Sequence, residues 1–256
     1  MRGWVAAGAA VAAGALAARR GLKQMPEPFH IEQSTREFQP QPMPDLPEPV
    51  RRYLEVVAPD LPLMTSAVLT GRFTMAMKGL QIPGRWRFSH EVGVGYKHEM
   101  DLTVFGRKVA QGTETYIDGQ ARLDLPGQLV ENEPKINLSA LQTMWAEYLW
   151  LPSVLATARW EASDPLSALM WIPQCEQPFT AVFDQETGLL QRFDTMRYRD
   201  ASDPEPLPWT TANLAWTRIN GIGVPAVGAV QWADMAQPWL RMSLDDAAWN
   251  VDVELP

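Results

Sequence analysis

A single cysteine, Cys175, stands in the 256 residues of the sequence. One thiol excludes an intrachain disulfide and any zinc or iron–sulfur site built from several cysteines. Basic residues are also scarce: 22 lysines and arginines stand against 30 acidic residues, so the net charge is −8 and no basic cluster can meet phosphates. The G-x-S-x-G, P-loop and dinucleotide-binding patterns are lacking too. We therefore expect no nucleic-acid partner and no cofactor.

Apolar and rigid residues are abundant instead. The sequence is 46% hydrophobic and contains 22 prolines and 11 tryptophans. A chain of this length and apolar content can bury a sizeable core. Proline interrupts helices, because its ring removes a donor and clashes with the preceding turn. This composition argues against a helical bundle or coiled coil and favours a β-rich domain.

Residues 1–23 contain an uncharged, alanine-rich stretch over positions 3–18, with arginine before it and basic residues after it. At 1.5 Å per residue this stretch reaches about 24 Å, short of the roughly 30 Å hydrocarbon core of a bilayer. Ala15-Leu16-Ala17 offers an A-x-A cleavage site. We interpret the segment as a hydrophobic N-terminal helix that is either a membrane anchor or a signal peptide. A surface helix of small residues is the alternative.

Residues 24–45 contain five prolines and are predicted to form a proline-rich linker. Such a segment favours extended polyproline II structure and acts as a semi-rigid spacer. The globular domain is then expected over residues 46–256, associated with the membrane through the N-terminus. An extracytoplasmic position, in the periplasm or cell envelope, is favoured. The basic residues directly after residue 18 instead favour a cytoplasmic C-terminal side, so the side stays open.

Hydrophobic periodicity within residues 46–256 changes from helical to strand-like and back. A short helix is predicted over residues 49–57, and a second over residues 137–150, ended by Pro152. Residues 67–78 alternate between apolar and polar, as a half-buried strand does. Short turn motifs recur, and we expect about ten antiparallel strands in one curled sheet. The fold class is α+β: a half-barrel sheet wrapped around one or two helices. The turn motifs are Asp118-Gly119, Gln185-Glu186-Thr187-Gly188 and Asn220-Gly221.

One hairpin can be given a register from its charges. A three-residue loop Gly93-Val94-Gly95, with Gly95 in the left-handed conformation, pairs Val92 with Tyr96. Apolar residues then face one another on one side of the hairpin, and opposite charges pair on the other. The predicted apolar-side pairs are His90 with His98, Phe88 with Met100 and Trp86 with Leu102, and the predicted charge pairs are Glu91 with Lys97 and Arg87 with Asp101.

Six motifs follow one another in order along residues 46 to 250: Leu46-Pro47-Glu48-Pro49-Val50-Arg51-Arg52-Tyr53-Leu54, Glu147-x-x-Trp150-x-Pro152-x-x-Leu155, Arg159-Trp160, Arg197-Tyr198-Arg199, Pro208-Trp209 and Ile222-Gly223-Val224-Pro225. Together they resemble an uncharacterised bacterial family, a domain of unknown function. The resemblance implies the lipoprotein-carrier half-barrel of the LolA/LolB-like superfamily, a curled antiparallel sheet around helices that encloses an apolar cavity. No activity comes with the family.

His90, His98 and Glu147 are the polar candidates for a site. Two imidazoles on an apolar face can bind a polar head group, move protons or ligate a metal. A metal needs a third ligand that neither cysteine nor another inner histidine supplies. Glu147 or an aspartate would have to contribute it, and no metal site is predicted. The plainer interpretation is a hydrogen-bonded pair of cavity-lining histidines, with Glu147 paired to an arginine such as Arg159, Arg197 or Arg199. Arg197 and Arg199 alternate and could instead hold an anionic head group.

Wide and flexible apolar side chains suit a cavity that accepts variable guests, although they also fill the core of a bent sheet. The function predicted is a membrane-tethered, non-catalytic binding module for a lipid or another hydrophobic ligand. The alternatives are a hydrolase or isomerase that uses His90, His98 and Glu147, and a protein-interaction scaffold. The sequence does not indicate an oligomeric state. The predicted ligand-binding residues are Met75, Met77, Trp86, Phe88, His90, His98, Met100, Trp145, Glu147 and Trp150.

Overall fold

The computed structural model describes residues 20–34 and 37–255. Thirteen strands form one antiparallel sheet, and most neighbouring strands are joined by short turns. The strands are β1 (Ser66–Met77), β2 (Leu80–Glu91), β3 (Gly95–Val104), β4 (Arg107–Ile117), β5 (Gln120–Leu125), β6 (Gln128–Glu131), β7 (Arg159–Asp164), β8 (Ser167–Trp171), β9 (Phe179–Phe183), β10 (Leu190–Arg197), β11 (Leu207–Ile219), β12 (Ile222–Trp232) and β13 (Leu240–Trp249).

Within residues 37–255, helices occupy two places in the chain. Helix α1 (Glu48–Val57) has proline in its first turn, and its apolar residues share one buried face. Helix α2 (Pro134–Glu147) is capped by Glu133, whose carboxylate accepts from the backbone N–H groups of Lys135 and Ile136. A 3₁₀ turn (Tyr148–Trp150) and the short helix α3 (Pro152–Leu155) follow it directly. Together, residues 134–155 form a helical segment between β6 and β7.

The strand order places β1 beside β13 at the centre and leaves β6 and β7 at the two edges. The sheet therefore has two arms, β1–β6 and β7–β13, and the helical segment links their far edges. Helix α2 contacts β4 and β5 of the first arm and β10 of the second, so the sheet curls around it. Most of the buried apolar side chains, from the helices and both arms, form one core cluster on this face.

The α+β class and the curled antiparallel sheet are confirmed, but the expected number of about ten strands is wrong. Strands β5, β6 and β7 have mostly exposed side chains. Strands β5 and β7 do alternate between polar and apolar residues, but these three strands span only four to six residues each. Alternation over so few residues gives little signal in a sequence.

The predicted register of the β2–β3 hairpin is wrong by two residues. His90 pairs with Tyr96, and Phe88 pairs with His98. The loop is Val92-Gly93-Val94, because Val94 N–H donates to Glu91 O at 3.1 Å and Gly93 takes a φ of +83° at the third turn position. A shift by two keeps every side chain on its predicted face. The charged partners change: Arg85 pairs with Asp101 and Arg87 with Glu99, while Ser89 lies opposite Lys97.

The second helix also differs from its predicted bounds of 137–150. It begins three residues earlier, because Pro134 is suited to a first helical position and Glu133 caps it. It ends as an α-helix at Glu147, and residues 148–150 tighten into a 3₁₀ turn before Pro152.

The hydrophobic helix predicted over residues 3–18 lies outside the described residues. Within residues 20–34 and 37–255, no helix is both long enough and apolar enough to cross a bilayer. The described part of the predicted linker has no helix or strand beyond one isolated bridge at Pro40, and it lies against the domain, where Ile31 packs with Val68 and Ala248. Gln33 Nε2 donates to Asp246 Oδ1 at 2.8 Å. Its role as a spacer stays a prediction.

Candidate functional site

Three polar side chains meet on the inner face of the first arm. His90 on β2 and His98 on β3 share that face as diagonal neighbours, because each is paired with an aromatic residue of the opposite strand. Glu147, the last residue of α2, reaches both of them. Its Oε2 atom lies 2.8 Å from His98 Nε2 and 3.3 Å from His90 Nε2. The sequence identified all three, and the structure brings them together.

The expectation that Glu147 pairs with an arginine is wrong. Its partner is His98, with which it forms a hydrogen bond, while Arg159 lies near Glu161 and Arg199 pairs with Asp234. The helix ends where the carboxylate can reach β2 and β3. These strands belong to the other end of the sheet from the arginines on β7 and β10.

Electrostatics set the charge of Glu147 and of His90. Burial alone raises the pKa of Glu147, but the nearby histidines and the hydrogen bond with His98 outweigh burial and lower the pKa to about 2. Burial lowers the pKa of His90, and this effect outweighs the nearby Glu147 carboxylate, which raises that pKa. At neutral pH the carboxylate is therefore ionised and the His90 ring is neutral.

The two imidazoles are held differently. The His98 ring is stacked between the Phe88 ring at 3.6 Å and the Tyr96 ring at 4.2 Å, measured between centroids. Tyr96 is itself fixed, since its hydroxyl donates to Glu114 at 2.5 Å. His90 is completely buried, and neither of its ring nitrogens has a hydrogen-bond partner among the described residues. The 3.3 Å contact to Glu147 does not complete a hydrogen bond.

Two neighbouring cavities lie between the helical segment and the sheet. The smaller one has a volume of about 160 Å³ and the larger one about 770 Å³. Most of the predicted ligand-binding residues line them. Trp86, Phe88, His98, Met100, Glu147 and Trp150 line the smaller cavity, and Met75, Met77, His98 and Met100 line the larger one.

Two predicted residues line neither of these cavities. His90 is not part of the lining of the smaller cavity, but its Nε2 atom lies 3.3 Å from Oε2 of Glu147, which is. Trp145 is buried and packs its ring edge-on against Tyr148, at 5.1 Å between centroids. It belongs to the core that holds α2 in place.

Arg197 on β10 is a site residue that the predicted set omitted. It lines both cavities, and its Nη2 donates to Thr143 Oγ1 of α2 at 2.7 Å. Its guanidinium lies 4.6 Å from the ring centroid of Trp209 and 5.8 Å from that of Trp232. Its Nε atom is buried and has no hydrogen-bond partner among the described residues. Burial lowers the pKa of Arg197, and nearby Glu114 opposes that effect.

A sequence signal for Arg197 did exist. The alternation of Arg197 and Arg199 placed both on one face, and both line the larger cavity. Arg199 is exposed and pairs with Asp234 at 2.9 Å, so it lies at the solvent-facing part of the larger cavity. Alternation alone could not tell this outer arginine from the inner one.

Comparison with known proteins places this fold among uncharacterised relatives. The sequence profile of DUF6544, described as a family of unknown function, matches residues 36–242. The resemblance to a domain of unknown function is thereby confirmed. The search of curated proteins finds no match to this chain.

Several solved structures are similar to the chain at low sequence identity. A DUF1329 family protein from Desulfovibrio piger is 8% identical with a TM-score of 0.49, over 80% of this chain and 93% of that one. A LolA superfamily protein from Nitrosomonas europaea is 9% identical with a TM-score of 0.49, over 81% and 93%. A putative outer membrane lipoprotein-sorting protein domain from Vibrio parahaemolyticus is 9% identical with a TM-score of 0.44, over 74% and 87%.

Proposed function

The chain belongs to DUF6544, a family of unknown function, and from its own site we propose that it is a non-catalytic binding module for a lipid or another hydrophobic ligand. The larger cavity carries this proposal. Its volume of about 770 Å³ falls within the range of ligand pockets, roughly 300–1,000 Å³. Flexible thioethers from Met75, Met77 and Met100 line it and can adapt to guests of different shape.

The polar end of the ligand is expected at Arg197. This guanidinium faces both cavities, and no ion pair with a described carboxylate engages it. A buried cation without an anionic partner is costly, and an anionic head group would supply that partner. We therefore expect an amphiphile with an apolar chain and one anionic group, of the fatty-acid class.

The energetics are compatible with reversible binding. Ten buried methylenes contribute about 8 kcal/mol, at roughly 0.8 kcal/mol each. Association costs at least about 4 kcal/mol. The remainder corresponds to weak binding in the millimolar range for the chain alone, which a charged anchor strengthens towards micromolar. Such a ligand can be both loaded and released.

Binding of a fluorescent fatty acid to Arg197→Met tests this anchor. A charge-assisted hydrogen bond contributes about 1.5–3 kcal/mol, so the substitution should weaken binding roughly tenfold or more. A neutral analogue of the same chain length should bind wild type and variant alike. Arg192→Met is the matched control, because Arg192 lies on the same strand but is exposed and pairs with Asp194. Equal fatty-acid affinity in all three proteins would refute the anchor.

Attachment to a membrane is part of the same proposal. It is supported by the sequence of residues 1–23, from which we expect an anchor or signal peptide that places the domain on the extracytoplasmic side. Protease treatment of intact and opened spheroplasts tests the side. Degradation of the domain in cells with only the outer envelope removed supports the proposal. Degradation only after the inner membrane is broken contradicts it.

A hydrolase or isomerase is the second candidate, and one observation favours it. Glu147 Oε2 lies within 3.3 Å of Nε2 of both His90 and His98 beside a cavity, which is the proximity that acid–base catalysis requires. An esterase screen over acyl chain lengths, with Glu147→Gln as the inactive reference, tests it. Turnover that falls by about 100-fold or more in Glu147→Gln supports catalysis. Turnover equal in both proteins, or none in wild type, rejects this candidate.

A further inference from the structure

Three different elements direct metal-ligating atoms to one point. The ligand atoms of His90, His98 and Glu147 all lie within 4.8 Å of one another. Two of the separations, 2.8 and 3.3 Å, centre on Glu147 Oε2. Zinc–ligand bonds of about 2.0–2.1 Å in a tetrahedron set neighbouring ligand atoms roughly 3.4 Å apart. The two separations from Glu147 Oε2 are therefore near that spacing without an ion, and the third separation is no longer than 4.8 Å.

His90 is difficult to explain without a ligand. Its ring is completely buried, and both nitrogens lack a hydrogen-bond partner among the described residues. Buried polar atoms are nearly always satisfied by protein or water. Nε2 faces Glu147 Oε2 at 3.3 Å, too poorly aligned for a hydrogen bond. An ion between the two atoms would satisfy that nitrogen with no change of fold.

We propose that His90, His98 and Glu147 bind one divalent transition-metal ion of the zinc class. Two imidazoles and a carboxylate suit zinc and its neighbours, whereas magnesium and calcium prefer oxygen ligands alone. The sequence predicted no metal site, because the face with the two histidines lacks a third ligand and Glu147 or an aspartate would have had to contribute it. Helix α2 supplies it from outside that face, through Glu147.

The fourth coordination position faces the smaller cavity. His98 and Glu147 both line that cavity, together with Arg197. Three protein ligands with an open position are typical of zinc sites that accept water or an exogenous anion. The ligands are also well held, since His98 is stacked between Phe88 and Tyr96. This inference does not depend on lipid binding, because none of these observations concerns an apolar guest.

Zinc titration of the full-length protein tests the proposal directly. The protein is stripped with a chelator and titrated with Zn²⁺ alone against a chromophoric competitor. We expect one equivalent per chain, with affinity lowered more than about 100-fold in Glu147→Gln. His30→Ala and Cys175→Ser remove the remaining histidine and the lone thiol, and both should bind as wild type does.

Cobalt spectroscopy gives a second measurement that needs no variant to fold. Co²⁺ bound to wild type should show the intense visible bands of four-coordinate geometry, and Zn²⁺ should displace it. No stoichiometric binding by wild type, or equal binding by Glu147→Gln, would overturn the proposal and leave a metal-free ion pair. Neither assay contains lipid, so the absence of metal binding would not contradict the proposed binding of a hydrophobic ligand.

Discussion

Trp249 joins the central strand of the sheet to the helical segment. Its side chain is 2% exposed, and its indole N–H donates to the carbonyl of Trp150 at 2.8 Å. The Phe38 ring covers it, at 6.3 Å between ring centroids. One side chain thus connects β13, the 3₁₀ turn and the described part of the predicted linker.

Substitution of Trp249 separates packing from hydrogen bonding. Trp249→Phe keeps an aromatic ring but leaves the Trp150 carbonyl without its donor, so it should lower the free energy of unfolding by about 1–3 kcal/mol. Trp249→Ala opens a cavity as well and should cost about 3–5 kcal/mol. Urea denaturation followed by circular dichroism measures both. Equal, small effects would show that this contact does not hold the helical segment.

At the scale of the elements, the β2–β3 hairpin shows what a sequence can and cannot fix. One glycine lies inside its turn and another directly after the turn, and each has a different role. Gly93 needs a positive φ of +83° in an open turn, with no atom near its missing side chain. Gly95 is a strand residue, where a Cβ would lie 1.8 Å from the carbonyl oxygen of Tyr116.

Alanine at the two positions should therefore have unequal effects. Gly93→Ala only forces a left-handed conformation and should cost about 1 kcal/mol. Gly95→Ala also pushes β3 away from β4 and should cost about 3 kcal/mol or more. Chemical denaturation of both variants, with identical substitutions two residues apart, provides the comparison. A cost at Gly93 as large as at Gly95 would contradict the observed register.

The same hairpin explains how much was predictable. Period-two alternation placed His90 and His98 on the inner face, because parity survives any even shift of register. The register failed because a glycine in a close strand approach is indistinguishable, in sequence, from one in a turn. The sequence identified Glu147 as a candidate site residue but not His98 as its partner. Tertiary packing sets where α2 ends, and therefore which side chains the carboxylate reaches. Arg197 was visible only as one of two alternating arginines.

At the scale of the whole molecule, the sheet continues from one arm to the other through the β1–β13 pair, and the cavities lie between the arms and α2. Met100 lines both cavities. A larger side chain there would fill the space that a long apolar chain needs, at a modest cost in stability. The volume of the interior would then set which chain lengths bind.

Met100→Trp should weaken binding of a long-chain fluorescent fatty acid by about tenfold or more, which corresponds to roughly 1.4 kcal/mol. Binding of a short-chain analogue should change less. Val109→Trp is the control, because Val109 is 62% exposed on β4. Fluorescence titration with both probes measures this. If Met100→Trp binds the long probe as well as wild type does, the ligand does not occupy these cavities.

The central claim is that the curled sheet holds an amphiphile in its interior. Native mass spectrometry of the full-length protein, purified without detergent, tests it most directly. We expect an added mass that dissociates on activation and is identified as an acyl-chain compound with one anionic group. Arg197→Met should carry much less of it. Protein that is consistently free of added mass, and that stays so after incubation with fatty acids, would contradict the account.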